Sequence, residues 1–199
     1  VTGAPFLAEY EARLAGPWTD IQDQLPMLYE RACRYPRVRV LEFGVRTGES
    51  TSAWLAAAEL TGGSVRSYDI ETPAVPAWWR ELDRWCFTQG SSLDAQPGAG
   101  ECDVLFLDTS HAYDDTLREL ARWVPHVVPG GLVLCHDTQL TGPPFEPLAV
   151  ARALDGYCAS TGLEWRELGG HYGLGEITIG KGDGNGLPGG AGRRGRGSP

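Results

Sequence analysis

The sequence predicts an α/β domain built on a mostly parallel sheet with helices on both faces, and three observations carry that prediction. An apolar run from Val38 to Phe43 breaks at Gly44 into a glycine-bearing turn, and Ser50 and Thr51 then open a helical stretch to Leu60. Val104 to Leu107 and Leu132 to Cys135 are continuous apolar runs, as expected of parallel strands covered on both faces. Strand-like and helix-like stretches alternate along the chain, the pattern of βαβ units. With 199 residues, 42% hydrophobic and 22% charged, the chain suits one domain with a sizeable core.

Residues 1–36 read as an amphipathic helical segment. Thr19 and Gln22 match a capping box, and Ile21, Leu25, Leu28 and Ala32 recur at helical spacing. Pro26 either kinks this segment or starts a second helix. The segment is a cover for one sheet face or a lid over a ligand site. After the opening strand–turn–helix unit, Ser64 to Glu71 reads as a second strand ending in acids. Pro76 to Trp85 reads as a helix with Trp78, Leu82 and Trp85 on one side, and Cys86 to Gln89 as a short third strand.

Asp103 to Asp108 is the central strand. The helix after it carries Leu117, Leu120, Ala121 and Val124 on one face, and Pro129-Gly130-Gly131 turns the chain into the strand Leu132–Asp137. A helix from about Pro147 to Cys158 points Val150, Leu154 and Tyr157 inward, and the strands Leu163–Leu168 and Glu176–Gly180 close the sheet. Residues 182–199 are Gly, Pro and Arg with almost nothing apolar, a composition that predicts a disordered tail. The domain therefore spans 37–181.

Several classes are excluded. A net charge of −9 argues against a nucleic-acid partner. No apolar run nears the ~18 residues of a membrane span, and no basic segment leads into an apolar core at the N-terminus, so the expected location is cytoplasmic. Cys33, Cys86, Cys102, Cys135 and Cys158 are scattered without a C-x-x-C pair, which fits reduced thiols and supports neither zinc nor a disulfide framework.

Chemistry collects where strands end. The turn Gly44–Gly48 offers free N–H groups and a helix N-terminus to a polar or anionic group, although it lacks the third glycine of the dinucleotide fingerprint. Asp69 follows at the spacing of an acid that accepts hydrogen bonds from ribose hydroxyls. The loop Gly90-Ser91-Ser92 is either an adenine contact or an ordinary turn. Asp108 and Asp137, at adjacent strand ends, are placed to share a hard divalent cation, with His136 as a third ligand or bonded to a backbone carbonyl. His111, three residues past Asp108, is placed as a general base. His171 and Tyr172 lie on a loop reaching the same rim, as acceptor contacts or as plain connecting loop.

Taken together, Val40–Thr51, Tyr68–Glu71, Asp103–Tyr113, Pro129–Thr138 and Gly173-Leu174-Gly175 resemble a class I S-adenosylmethionine-dependent methyltransferase. More narrowly, the chain is similar to a small family related to cephalosporin-hydroxylase-type proteins and metal-dependent O-methyltransferases of natural-product pathways. The resemblance implies a Rossmann-like sheet of seven strands in the order 3-2-1-4-5-7-6, the last-formed strand antiparallel. It implies that Glu42 and the turn from Gly44 to Gly48 hold the methionine part of S-adenosylmethionine, with Ser50 or Thr51 near its carboxylate. Asp69 would take the ribose, while Gly90, Ser91 and Ser92, with Asp108, would border the adenine and the methyl donor. Asp108, His136 and Asp137 would ligate Mg²⁺, and His111 would stand at the base position. His136 replaces the usual acid, which favours Mn²⁺ or another transition ion.

The expected reaction is methylation of a small-molecule hydroxyl, the metal holding the acceptor oxygen and His111 removing its proton. Two rivals stand beside it. A nicotinamide-dependent oxidoreductase is disfavoured by the missing glycine and by the Asp108/His136/Asp137 cluster. A cofactor-binding partner subunit, or non-methylating chemistry on the same fold, is compatible with the short 139–146 segment, which leaves room for a pocket completed by a homodimer partner or by the N-terminal segment.

Overall fold

The computed structural model describes residues 4–96 and 102–180; the predicted tail at 182–199 lies outside the described residues. Seven strands form one sheet: β1 Arg39–Phe43, β2 Ser64–Asp69, β3 Trp85–Gln89, β4 Cys102–Leu107, β5 Val127–His136, β6 Trp165–Glu167 and β7 Leu174–Thr178. Their order is β3-β2-β1-β4-β5-β7-β6, as expected. β3 to β5 pair in parallel through β2, β1 and β4, and β7 runs antiparallel to both β5 and β6. β1 sits between β2 and β4, where successive crossovers diverge and leave a crevice beyond the strand ends.

Strand alternation divides the core. Val40, Val104, Phe106 and Leu134 face one side, with α3 (Glu49–Thr61), while Leu41, Leu105, Leu107 and Val133 face the other, with α4 (Tyr113–Trp123) and α5 (Ala149–Thr161). Every residue of α3 from Ser50 to Ala58 is buried, because two further helices, α1 (Pro5–Leu14) and α2 (Leu25–Ala32), lie over its outer face. Its alanines allow that close double-sided packing. No side chain of the residue before α1 caps its start. Instead Glu59 of α3 accepts the N–H groups of Phe6 and Leu7, both at 3.1 Å. A buried ion pair, Arg31 to Glu176 at 2.5 Å, fastens α2 to β7, and Arg166 shares the same carboxylate.

The structure corrects several local expectations. Pro26 starts α2, standing in its first turn. The capping box does not form: the Thr19 hydroxyl is buried without a partner, and the Gln22 amide reaches back to the carbonyls of Arg13, Leu14 and Gly16. The helix expected over 76–85 is only a 3₁₀ turn at Ala77–Glu81, and the backbone is extended again at Leu82 on the way into β3. Trp79 is its buried ring, Leu82 is exposed, and Trp85 already belongs to β3 and meets Trp79 edge-on at 5.5 Å.

Pro129-Gly130-Gly131 is a bulge inside β5, not a turn before it: Cys102 pairs with Val127 and Val104 with Leu132. In α4 the buried face is Thr116, Glu119, Leu120 and Trp123, whereas Ala121 is exposed. The inward set on α5, with Val150, Leu154 and Tyr157 buried, is as predicted. No described helix is long and apolar enough to cross a membrane.

Candidate active site

The crevice beyond β1 and β4 is a cavity of about 530 Å³. Its floor is the turn after β1. Gly44 has φ +94°, and a Cβ there would run into the carbonyl of Asp108, so glycine is what lets β1 and β4 approach. Gly48, at φ +84°, starts α3. Asp69 braces the turn: one oxygen accepts the N–H groups of Val45 at 2.7 Å and Arg46 at 2.9 Å, and the other accepts that of Glu71 at 2.9 Å. A carboxylate has about four acceptor positions, so Asp69 keeps capacity for a ribose hydroxyl at the wall it lines.

Of the residues expected to bind, Gly44, Ser50, Asp69, Gly90, Ser91, Ser92, Asp108 and His111 line this cavity, whereas Glu42, Gly48, Thr51, His136 and Asp137 do not. Glu42 is fully buried behind the turn, accepting the hydroxyls of Ser50 (2.7 Å), Thr51 (2.8 Å) and Ser67 (2.6 Å). It knits β1, β2 and α3 together. Burial pushes its pKa up from 4.5 to about 7, further than the three hydroxyl donors pull it down. The unfolded chain therefore ionises this group first as pH rises, and folding stability falls between 4.5 and about 7. Glu42→Gln should flatten that fall by on the order of 3 kcal/mol. Urea titrations of both proteins at the two ends of the window check it; parallel pH dependences would refute it.

Sequence patterning did not reveal Asp20, Ile21, Arg46, Glu71, Thr109 and Glu119, all of which line the cavity. Glu119 is a buried carboxylate accepting the Ser92 hydroxyl and the Thr109 hydroxyl (2.8 Å to the nearer oxygen), which links the β3 loop, the end of β4 and α4. Its i, i+1 and i+4 relation to Leu120 and Trp123, with Thr116 one turn before, was the signal available.

At the far end of the cavity stands an acid–histidine cluster. His111 Nε2 lies 2.8 Å from Asp137 and 3.3 Å from Asp108. His111 (φ +56°) and Asp137 (φ +63°) both hold left-handed backbone, a conformation non-glycine residues adopt at a cost and often at functional sites. Burial opposes charge on His111, but the two carboxylates outweigh it and lift its pKa to about 9. Burial likewise opposes charge on Asp108, yet His136 and His111 hold it well below the usual carboxylate range.

The expected metal set is only partly assembled. Asp108, His111 and Asp137 offer ligand atoms within 4.8 Å of one another, and His136 is not in that group. His136 Nδ1 comes within 3.1 Å of Asp137 and 3.5 Å of Asp108 without hydrogen-bond alignment, and it faces the interior between α4 and α5. Two carboxylates and an imidazole suit a divalent cation, and the nitrogen leans toward Mn²⁺ over Mg²⁺. His111 Nδ1 is buried and has no partner among the described residues. Beside the cluster, the exposed Phe145 ring lies 5.5 Å from that of His111. His171 meets Trp18 edge-on at 4.7 Å and Tyr172 at 4.0 Å. Neither His171 nor Tyr172 lines the cavity.

Residues 41–138 match a family described as a methyltransferase domain. No curated protein sequence matches the chain. Among solved structures, it is similar to the SAH-bound methyltransferase PaMTH1 of Podospora anserina, at 19% identity and TM-score 0.60, covering 86% of each chain. It is similar to the O-methyltransferase TomG of Streptomyces achromogenes, involved in tomaymycin synthesis and bound to SAM, at 18% identity and TM-score 0.64, covering 90% of this chain and 92% of that one. It is also similar to MycE of the mycinamycin biosynthetic pathway, in complex with Mg, SAH and mycinamycin VI. That match has 23% identity and TM-score 0.61 and covers 92% of this chain but 57% of MycE. At these identities the likeness establishes the fold, that of class I methyltransferases.

Proposed function

We propose, for a chain whose residues 41–138 belong to the methyltransferase-domain family, that it methylates a hydroxyl of a small molecule of the natural-product type, with a divalent cation assisting. The observation that carries this reading is the Asp137–His111 pair beside Asp108, at the end of the cofactor cavity. S-adenosylmethionine supplies the methyl group when bound. Asp69 and Glu71 would take the ribose, the backbone of the Gly44 turn would hold the methionine part, and Gly90 and Ser91 would border the adenine.

Asp108 and Asp137 hold His111 at Nε2 and keep it protonated; with their charge offset by a bound cation, the His111 pKa would fall from about 9 and the imidazole would be free to take the acceptor proton. Asp108 and Asp137 would hold the cation, whose chemistry there is stabilisation of the developing oxyanion. TomG, an O-methyltransferase, and MycE, in complex with Mg, support the same direction. Orienting the acceptor is left to residues at the rim, where the Phe145 ring stands 5.5 Å from that of His111.

Calorimetric titration with S-adenosylhomocysteine, with and without Mn²⁺ or Mg²⁺, tests the reading, followed by methyl transfer to a panel of hydroxylated acceptors. Expected are cofactor binding without added metal and oxygen methylation that rises on metal addition. An absence of cofactor binding under every condition would overturn the reading. Turnover indifferent to metal and chelator would remove the cation from it.

A further inference from the structure

We infer that Glu167, on the edge strand β6, is a positioning residue that holds the Asp137 carboxylate against His111; its effect on turnover rests on the methyl-transfer reading above. Asp137 has φ +63°, a backbone conformation that a non-glycine residue keeps only where its surroundings enforce it. The enforcement comes from the loop between β6 and β7. The Asp137 N–H donates to the Gly173 carbonyl at 3.1 Å, and the Gln139 N–H donates to that of Tyr172 at 2.6 Å. The turn that carries Asp137 therefore hangs on residues 172 and 173.

Glu167 fixes that loop and that turn to each other. One oxygen accepts the N–H groups of Gly169 at 2.8 Å and Leu174 at 2.9 Å, at the two ends of the loop. The other accepts the hydroxyl of Thr138, the residue next to Asp137, at 2.5 Å. Thr138 is buried, and a Cβ at Gly173 would run into its hydroxyl, so loop and turn are in close contact as well as bonded. The carboxylate thus reaches from β6 past β7 to the end of β5, two strands inward.

What this network ends on gives it a functional meaning. Asp137 Oδ2 stands 2.8 Å from His111 Nε2 and 3.1 Å from His136 Nδ1, so a shift of the backbone that carries it moves the carboxylate away from both rings. None of Glu167, Thr138 and Asp137 lines the cofactor cavity. Loss of Glu167 should therefore lower kcat by about 10- to 100-fold and leave S-adenosylhomocysteine affinity within about threefold of its unaltered value. A carboxylate that only closed the loop would leave both rings where they are.

The test is a proton–nitrogen correlation spectrum of the rings of the four histidines, recorded on the full chain, with S-adenosylhomocysteine calorimetry beside it. Glu167→Ala and Thr138→Val, the latter keeping the side-chain shape, should both move the His111 and His136 ring signals in the direction that Asp137→Asn moves them. The His126 signal should stay in place. Glu167→Gln should return the moved signals part of the way, since its amide oxygen still accepts the loop N–H groups and its NH₂ donates to Thr138. Unmoved His111 signals in either variant would overturn the inference, and so would loss of S-adenosylhomocysteine affinity in either, the mark of general damage. Failure of the unaltered protein to bind S-adenosylhomocysteine would instead sink the methyl-transfer reading, while the ring signals still decide whether Glu167 places Asp137.

Discussion

Gly44→Ala is expected to abolish cofactor binding and to lower Tm by about 10 °C. Two costs combine. The position has φ +94°, and left-handed backbone in a non-glycine residue costs about 1–3 kcal/mol. A Cβ would also overlap the Asp108 carbonyl, which is backbone and cannot rotate aside. Relieving such an overlap in a packed interior adds about 1–3 kcal/mol.

Strand separation would break the Asp108 N–H to Phe43 carbonyl bond of 2.9 Å and displace the Asp108 side chain from the cluster. Thermal unfolding and titration with S-adenosylhomocysteine read the two effects separately. A folded variant with cofactor affinity intact would show that β1 and β4 tolerate a wider gap.

The second large effect falls on turnover. His111→Ala should reduce kcat by about 10²–10⁴-fold, while S-adenosylhomocysteine affinity changes by less than about threefold if the imidazole serves the acceptor and not the cofactor. His111 also belongs to the trio able to hold a cation, so its two candidate roles need separating. As a proton acceptor its loss is restored by added imidazole and not by more metal. As a ligand its loss is restored by raising Mn²⁺ and not by imidazole. Rescue by imidazole is expected, since Asp108 and Asp137, 3.3 and 2.8 Å from Nε2, can hold the cation without the ring.

What the chain disclosed before folding follows a physical divide. Polar residues closing apolar strands, Asp69, Asp108, His136 and Asp137, stand out because a strand covered on both faces has no packing use for them. The sheet order followed from resemblance once those strand ends were recognised. Functional lining contributed by helices and by distant segments was hidden. Glu119 escaped because the apolar phase of α4 was set by Leu117 and Ala121, whereas Thr116 and Trp123 define the buried face. Asp20 and Arg46 meet across 26 residues, and no local pattern encodes such a pair.

His136 and Glu42 differ in the other direction. Each is buried outside the cavity lining, Glu42 bonded to three hydroxyls and His136 packed behind the Asp108 and Asp137 carboxylates. Trp78, Leu82 and Trp85 share helical spacing, but Leu82 is extended and Trp85 is taken into the third strand.

The carboxylate of Glu59 over the start of α1 has a consequence for the order of assembly. α1 leaves the ribosome before α3, yet its opening N–H groups gain their acceptor only once a residue more than fifty positions later has been made and wound into α3. A ten-residue helix without that acceptor is marginal in water. α3 in turn shows apolar alanines on its outer face until α1 and α2 arrive. The cofactor turn therefore matures through mutual docking of partners that are each marginal alone, and the unpaired α1 and α2 are what a chaperone would meet on the nascent chain.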